Sequence, residues 1–290
     1  MASPNHIENP FEFILEKLGW AASDVTRVML PRRDRHLAQA RPVVQKITAA
    51  DLWDALRKGV ADVGATRDDV LFIAVIYPVA GLVLARLALS YDLLPMVFPL
   101  ASGFALIGPF AAVGLYEMSR RREMGEAVNW GTALRVFQSP AIGSILGMGA
   151  ILLALFGLWL AVAYQISLIN LGAEPPQTVA AFERAVFHTD AGRNLIAVGV
   201  GAGFLFAVVA FVLGVVSFPL LLDRDVGLWT AIKTSVSAVS ANLATMTLWG
   251  LMVAGLLVLG SLPALVGLIF VMPMLGHATW HLYRKVIALV

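Results

Sequence analysis

Two histidines near the carboxyl terminus are the residues whose spacing is best suited to chemistry. His277 and His281 are four positions apart, which places both side chains on one face of an α-helix. Two imidazoles so arranged can share a metal ion or present a nitrogen each to a haem. Two nitrogens do not complete a metal shell. The spacing therefore also fits two other roles, a structural one, with hydrogen bonds to helix carbonyls or acidic residues, and contact with lipid headgroups or anions.

A second group of polar and aromatic residues follows the ends of three apolar segments. We expect these ends to meet on one face of the protein and to form its functional surface, without a catalytic residue or a metal site. The candidate residues of this surface are Tyr116, Glu117, Arg120, Arg121, Asp223, Arg224, Asp225, Trp280, Tyr283 and Arg284.

Composition indicates a polytopic membrane protein. The 290 residues are 59% hydrophobic and 14% charged, whereas soluble domains carry about 25% charged residues. The net charge of +2 does not indicate a nucleic-acid partner. There is no cysteine, which removes thiol chemistry and thiolate metal sites, and no Asp, Glu or Lys lies in the middle of an apolar segment. We therefore expect a protein that is not an enzyme.

Six apolar segments are long enough to cross a bilayer, which requires about 20 residues per helix. The sequence predicts an all-α fold in which these six transmembrane helices form three hairpins. The segments are 70–89, 93–116, 142–169, 195–222, 243–262 and 264–283. Basic residues concentrate before the first segment and in the even-numbered connections, whereas only Arg184 and Arg193 lie in an odd-numbered one. The positive-inside rule then places both termini in the cytoplasm.

A short motif with tryptophan and a basic residue occurs three times, and each copy precedes one hairpin. The copies are Trp53 to Arg57, Trp130 to Arg135 and Trp229 to Lys233, and the second helices of the hairpins contain Pro109, Pro219 and Pro273. We interpret each copy as an amphipathic helix at the cytoplasmic boundary, where tryptophan and basic side chains contact headgroups, including anionic ones. Coincidence is the alternative, because the spacing between the copies is uneven.

The first of these helices has a predicted start and a predicted buried face. Thr48 can cap it with Asp51 three residues on, and Leu52, Leu56, Val60 and Val63 form an apolar stripe opposite charged residues that include Asp62. We therefore divide the chain into a cytoplasmic tail, residues 1–47, with a short amphipathic helix and a basic arm, and a transmembrane domain, residues 48–290. In the long outer connection, Thr178 is predicted to cap a further short helix.

Three stretches together resemble an uncharacterised family of bacterial integral membrane proteins, a domain of unknown function. They are Gly108-Pro109-Phe110 through Ser119-Arg120-Arg121, Ser217-Phe218-Pro219 through Asp225, and Pro273 through Arg284. The resemblance implies the bacterial inner membrane but no activity. Some relatives carry the label cytochrome c oxidase subunit I, an enzyme that uses six histidines for two haems and a copper. This chain has five, and His6, His36 and His188 lie outside the apolar segments, so we reject that activity.

Three hypotheses about function follow. The first is a non-catalytic accessory or scaffold subunit, with a membrane complex such as a respiratory complex as its partner. The second is a transporter or channel for a neutral or amphiphilic solute, formed by the three proline-containing helices. The third is a membrane protein that binds haem or a metal through His277 and His281. Under the first two hypotheses, we expect the protein to bind no cofactor.

Overall fold

The computed structural model describes residues 42–65, 86, 94–176, 178–263 and 265–289. The predicted amino-terminal helix, the basic arm and the first predicted membrane segment, 70–89, lie outside these residues. Eleven α-helices are present in the described part of the chain. They are α1 (Ala49–Ala65), α2 (Val97–Ala111), α3 (Val113–Glu123), α4 (Trp130–Ala133), α5 (Ile142–Leu171), α6 (Val179–Phe187), α7 (Asp190–Gly214), α8 (Ser217–Asp223), α9 (Leu228–Ala241), α10 (Leu243–Ser261) and α11 (Leu268–Val286). A 3₁₀ turn, Leu94–Met96, leads into α2, and another, Leu134–Gln138, follows α4.

Four stretches of the described residues are long and apolar enough to cross a membrane. They are Leu94–Glu123, which comprises α2 and α3, Ile142–Leu171, Asp190–Asp223, which comprises α7 and α8, and Leu243–Ser261. The sixth predicted segment corresponds to α11, which is not among them. Its second half carries His277, His281, Arg284 and Lys285, and most of that half is buried inside the protein. Polar residues that pack against other helices lower its mean hydropathy, so the sixth predicted crossing stays a prediction.

Proline-containing helices end close together, as predicted from the sequence. Pro109 lies in α2, which leads into α3, whereas Pro219 lies in α8 and Pro273 in α11. Each of α3, α8 and α11 contacts the other two. The stretch that ends in α8 has 34 residues, about 51 Å at 1.5 Å per residue, against a hydrocarbon core of about 30 Å. The part of this stretch that contains α8 can therefore project beyond the hydrocarbon core. We call the region formed by α3, α8 and the second half of α11 the polar end.

The helices that begin with the three tryptophan motifs surround this polar end in a cyclic order. Helix α1 packs on α11, α4 packs on α3, and α9 packs on α8 and α7. Helices α4 and α9 therefore each contact the proline-containing end that precedes them in the chain, whereas α1 contacts α11, which follows it. The predicted repeat of three units would produce such a cyclic order.

Helix α1 begins as predicted, and its buried face overlaps the predicted apolar stripe. The Asp51 carboxylate accepts hydrogen bonds from the backbone N–H of Thr48, at 2.9 Å, and from its hydroxyl, at 2.8 Å. The buried residues are Leu52, Ala55, Leu56, Gly59 and Asp62. Val60, part of the predicted stripe, is 55% exposed. The buried face is rotated away from Val60 because the small residues Ala55 and Gly59 allow close approach to α11.

A two-stranded antiparallel sheet also departs from the predicted all-α fold. Strand β1 (Pro42–Val44) pairs with β2 (Ile287–Leu289), with Val43 opposite Ala288. The pairing joins the residue stretch before α1 to the residues after α11. It is extended at one end by a hydrogen bond from the backbone N–H of Gln45 to the carbonyl of Val286, at 2.7 Å.

Helix α6 lies in the long connection at the other end of the spans, where a short helix was predicted. The Thr178 hydroxyl accepts a hydrogen bond from the backbone N–H of Ala181, at 3.2 Å, so Thr178 is the predicted cap. Of its two valines, Val186 is buried and Val179 is exposed. The helix packs against α7.

We predict that Gly59→Ala destabilises the protein, because α1 and α11 touch at this glycine. An added Cβ would lie 2.7 Å from the Met274 carbonyl oxygen and 2.8 Å from the Ala278 backbone nitrogen. Overpacking of this kind costs about 1–3 kcal/mol, which should lower the melting temperature in detergent by several degrees. Gly64→Ala is the control, because nothing lies within 4 Å of the corresponding Cβ. Equal melting temperatures for the two variants would contradict the close contact.

Candidate functional site

A buried group of ionisable side chains lies at the polar end, between α1, α3 and α11. We call it the polar cluster. It comprises Asp62 from α1, Ser119, Arg122 and Glu123 from α3, and His277 and His281 from α11. His277, Ser119, Asp62 and His281 are each less than 9% exposed. Both candidate histidines are therefore part of one site, together with residues that the sequence did not indicate.

The carboxylate of Asp62 is the centre of the polar cluster. One oxygen, Oδ2, accepts a hydrogen bond from the Ser119 hydroxyl at 2.5 Å and lies 2.9 Å from Nε2 of His281. The other oxygen, Oδ1, accepts a hydrogen bond from Nη1 of Arg122 at 2.9 Å. Removing a carboxylate from water is costly unless it is paired and hydrogen-bonded. These three contacts from two helices provide that compensation.

The hydroxyl of Ser119 determines the proton arrangement around His277. Its oxygen lies 2.7 Å from Nδ1 of His277. A serine has one hydroxyl hydrogen, and the short contact with Asp62 uses it. Nδ1 of His277 must then carry a hydrogen and donate it to Ser119. The order of donation runs from His277 through Ser119 to Asp62, which differs from a hydrolytic triad, where the serine donates to the imidazole.

The environment shifts the pKa values of the cluster in different directions. Burial alone would raise the pKa of Asp62, but the hydrogen bonds from His281 and Ser119 hold it below its ordinary value. Burial alone would lower the pKa of His281, but the contacts with Asp62 and Glu123 hold it above its ordinary value. Burial lowers the pKa of His277 to about 4. At neutral pH, His277 is therefore neutral, whereas the pairing with Asp62 favours the protonated form of His281.

A second polar group joins the three proline-containing helices through Asp223. This carboxylate accepts a hydrogen bond from the Tyr283 hydroxyl at 2.8 Å and lies 3.6 Å from Nη1 of Arg284 and 4.0 Å from Nε of Arg120. Burial and the Asp223 charge raise the pKa of Tyr283 above its ordinary value. Glu117 is also buried and pairs with Arg120 at 3.2 Å.

The structure brings together most of the predicted surface, but much of it faces inward. Tyr116, Glu117, Trp280 and Tyr283 are buried, and the Trp280 and Tyr283 rings pack at a centroid distance of 5.4 Å. Arg121 pairs with Glu117 at 2.5 Å and with Glu126 at 2.7 Å. Arg224 lies 3.7 Å from Asp223, and both Arg224 and Asp225 are exposed.

Sequence reasoning missed Asp62, Ser119, Arg122 and Glu123. Asp62 was assigned to the exposed face of α1 because it is charged. One signal could have corrected this. Asp62 follows Leu52, Ala55, Leu56 and Gly59 at intervals of three and four residues, so it lies on the face that carries the smallest side chains.

Binding of haem or a metal by the histidines would replace hydrogen bonds that exist in the structure. Nε2 of His281 faces Asp62, and Nδ1 of His277 donates to Ser119. Within the described ranges, no group of three or more histidine and acidic side chains is positioned to hold a metal ion.

An apolar cavity of about 480 Å³ lies beside the polar end, between α2, α7, α10 and α11. Its walls include Pro109, Phe211, Trp249, Gly250 and Met272. At the polar end it reaches Leu115 and Tyr116 of α3 and Gly276 and Thr279 of α11. The Thr279 hydroxyl donates a hydrogen bond to the Leu275 carbonyl at 2.7 Å, so the polar group of this side chain is already engaged.

We predict that His281 stabilises the protein more at acidic than at alkaline pH. A raised pKa means that the folded protein holds the proton more tightly than the unfolded chain does. This contribution is complete below pH about 6.5, the ordinary value, and is lost as the pH rises through the folded value. The difference in melting temperature between the wild type and His281→Gln should therefore shrink as the pH rises above 6.5. His188→Gln, at an exposed position, is the control. A difference independent of pH would contradict the ion pair.

Comparison with known proteins agrees with the membrane character of the helices. No curated protein and no solved structure matches the chain. The part that matches a family model begins at the first residue of α2 and ends at the last residue of α8, so it includes most of three of the four candidate spans. The protein is an integral membrane protein, and its residues 97–223 match the family described as predicted integral membrane protein (DUF2189), whose function is unknown.

Proposed function

We propose that the protein binds and carries a neutral or amphiphilic solute, without catalysing a reaction, and that the apolar cavity is the binding site. The observation that supports this most is the cavity itself. Its volume, about 480 Å³, lies in the range of about 300–1,000 Å³ typical of small-molecule sites. Its walls come from helices of several candidate spans, so a solute could reach it from the lipid.

The chemistry of the walls favours an uncharged ligand or the apolar part of an amphiphile. Among the described residues, no Asp, Glu, Lys, Arg or His lines the cavity. A charged group placed there would lose its hydration without a partner, which is costly. The neighbouring polar end offers a place for a polar headgroup, because the same helices, α3 and α11, continue from the cavity into it.

The predicted topology belongs to this proposal. Six crossings, arranged as three hairpins with both termini in the cytoplasm of a bacterial inner membrane, would place the polar end at the cytoplasmic boundary. Residues 70–89 would form the first crossing, and the part of α11 before His277, with the residues preceding it, would form the sixth. Pro109 lines the cavity, and Pro273 lies next to the lining residue Met272. Prolines permit bending where a helix must admit a solute.

We predict that Gly250→Leu weakens binding to the cavity. Gly250 lines the cavity, and an added Cβ would meet only Phe211, at 3.9 Å, so a leucine can extend into the empty space. The probe is 9,10-dibromostearate, whose bromines quench nearby tryptophans, and Trp249 lines the cavity. Saturable quenching is expected for the wild type, with at least tenfold weaker binding for Gly250→Leu.

The matched control is Gly255→Leu on the same helix. Gly255 does not line the cavity, and nothing lies within 4 Å of its added Cβ, so this variant should bind as the wild type does. A further variant, Trp249→Phe, identifies the emission that reports on the cavity. Equal binding by both leucine variants, or quenching that never saturates, would overturn the proposed site.

An accessory or scaffold role is the second candidate, and the internal pairing of the polar end favours it. The ionisable side chains of the polar cluster and of the Asp223 group mainly contact one another. They are thus suited to holding helices together rather than to reacting with a substrate. A membrane complex, for example a respiratory complex, would be the partner under this hypothesis.

We predict co-purification with another membrane protein if this second role is correct. The protein, expressed at its native level and purified in a mild detergent, should then migrate with a partner in stoichiometric amount. Mass spectrometry of the natively purified protein would identify that partner, together with bound lipid. Migration of the chain alone, with the cavity occupied, would support the carrier and exclude the accessory role.

A further inference from the structure

Two helices in different units carry the same residues at the same spacing. Helix α1 contains Leu52-Trp53, Ala55-Leu56-Arg57, Val60 and Val63, and α9 contains Leu228-Trp229, Ala231-Ile232-Lys233, Val236 and Val239. When Trp53 is aligned with Trp229, each of the other residues just named in α1 has an identical or similar counterpart in α9. The match extends beyond the short motif that the sequence suggested.

The two helices also pack in the same way. Gly59 and Ser235 occupy the same place in the alignment. Gly59 lies against the backbone of Met274 and Ala278, and the Ser235 hydroxyl donates a hydrogen bond to the Val212 carbonyl at 2.7 Å. In both cases a small residue contacts the backbone of a helix on which its own helix packs, α11 for Gly59 and α7 for Ser235. The two helices therefore present equivalent outer faces.

Those outer faces carry a tryptophan, a cation and a valine in one row. Trp53 is 65% exposed and Trp229 is 62% exposed. Arg57 and Lys233 follow four residues later, and Val60 and Val236 three residues after that, all exposed. These intervals place each set on one side of its helix.

Arg57 and Lys233 differ from most basic residues around them in their lack of pairing with carboxylates within the described residues. Arg120, Arg121, Arg122 and Arg284 pair with carboxylates of the polar end, and Lys285 pairs with Asp54 at 2.9 Å. Within the described part of the chain, neither Arg57 nor Lys233 has such a partner. Arg135, the basic residue of the second motif, is also exposed. Among the described residues, the cations of all three motifs therefore lack a carboxylate partner.

The position of the two helices identifies what these faces would contact. Both lie at the end of the spans where α3 and α8 end and α5 and α10 begin. Tryptophan is enriched at the boundary between hydrocarbon and water, and arginine and lysine there attract anionic lipids by about 1 kcal/mol per charge. An exposed tryptophan next to an unpaired cation is suited to the headgroup layer.

We propose that the outer faces of α1 and α9 are two equivalent surfaces that bind the phosphate-bearing headgroups of anionic lipids. Trp53 and Trp229 enter the boundary region, and Arg57 and Lys233 contact the phosphates. The proposal does not rest on the cavity, because none of these four residues lines it. A protein partner for the same faces is the competing outcome.

The test uses proteoliposomes of phosphatidylcholine that contain a small fixed fraction of brominated phosphatidylglycerol. The bromines quench nearby tryptophans, and Trp53→Phe/Trp229→Phe identifies the emission of the two surfaces. Quenching by brominated phosphatidylglycerol should exceed quenching by the same fraction of brominated phosphatidylcholine, with a local enrichment of about fivefold per surface. Arg57→Gln/Lys233→Gln should remove this excess while both tryptophans remain.

Arg184→Gln/Arg193→Gln is the matched control, because it removes the same charge from exposed positions at the other end of the spans. It should keep the excess, and 0.5 M salt should reduce it for the wild type. Equal quenching by the two lipids in the wild type would overturn the proposal. Greater quenching by brominated phosphatidylglycerol that persists in Arg57→Gln/Lys233→Gln would overturn the proposal as well. Tryptophans that neither lipid quenches would show that these faces do not meet the headgroup layer, which would also overturn the proposal.

Discussion

The burial of one carboxylate, that of Asp62, is the constraint on which the polar end depends. A buried charge of this kind requires both an opposite charge and hydrogen-bond donors. His281 and Arg122 supply the charge, and the Ser119 hydroxyl supplies a further hydrogen bond. Since these partners come from α3 and α11, the carboxylate can be accommodated only when α1, α3 and α11 are all in place. The position of α1 at the polar end follows from this requirement.

Small residues allow the helices that carry these charges to pack closely. Gly59 allows α1 to approach the backbone of α11, and an added Cβ at Gly276 would lie 2.5 Å from the Leu115 side chain, so α11 also approaches α3 closely. The close packing keeps Asp62, Ser119, His277 and His281 largely out of contact with water, which strengthens the electrostatic interactions among them. Packing and pairing therefore depend on each other. The apolar cavity begins where this dense region ends, because Leu115 and Gly276 belong to both.

Particular residues show how far the sequence could predict this structure. The convergence of the three proline-containing ends was predictable, because topology alone places alternate ends of hairpins on one side. The Thr48 and Thr178 caps were predictable because capping is local. The role of Asp62 was not, since its histidine partner is more than two hundred positions away and periodicity carries no information about such pairs. For α11, hydropathy does not decide between the two cases, because a helix buried in protein and a helix buried in lipid can have similar sequences.

The cyclic packing of the motif helices has a consequence for synthesis of the chain. Helix α1 is made long before its main partner, α11, because most of the described helices lie between them in the chain. The contacts of α4 and α9 are with helices made before them, so these can form in the order of translation. The contact of α1 cannot, and the pairing of β1 with β2 is delayed in the same way. Until α11 has been made, Asp62 lacks its histidine partner, and α1 must be held by other contacts, which its exposed tryptophan-bearing face can provide.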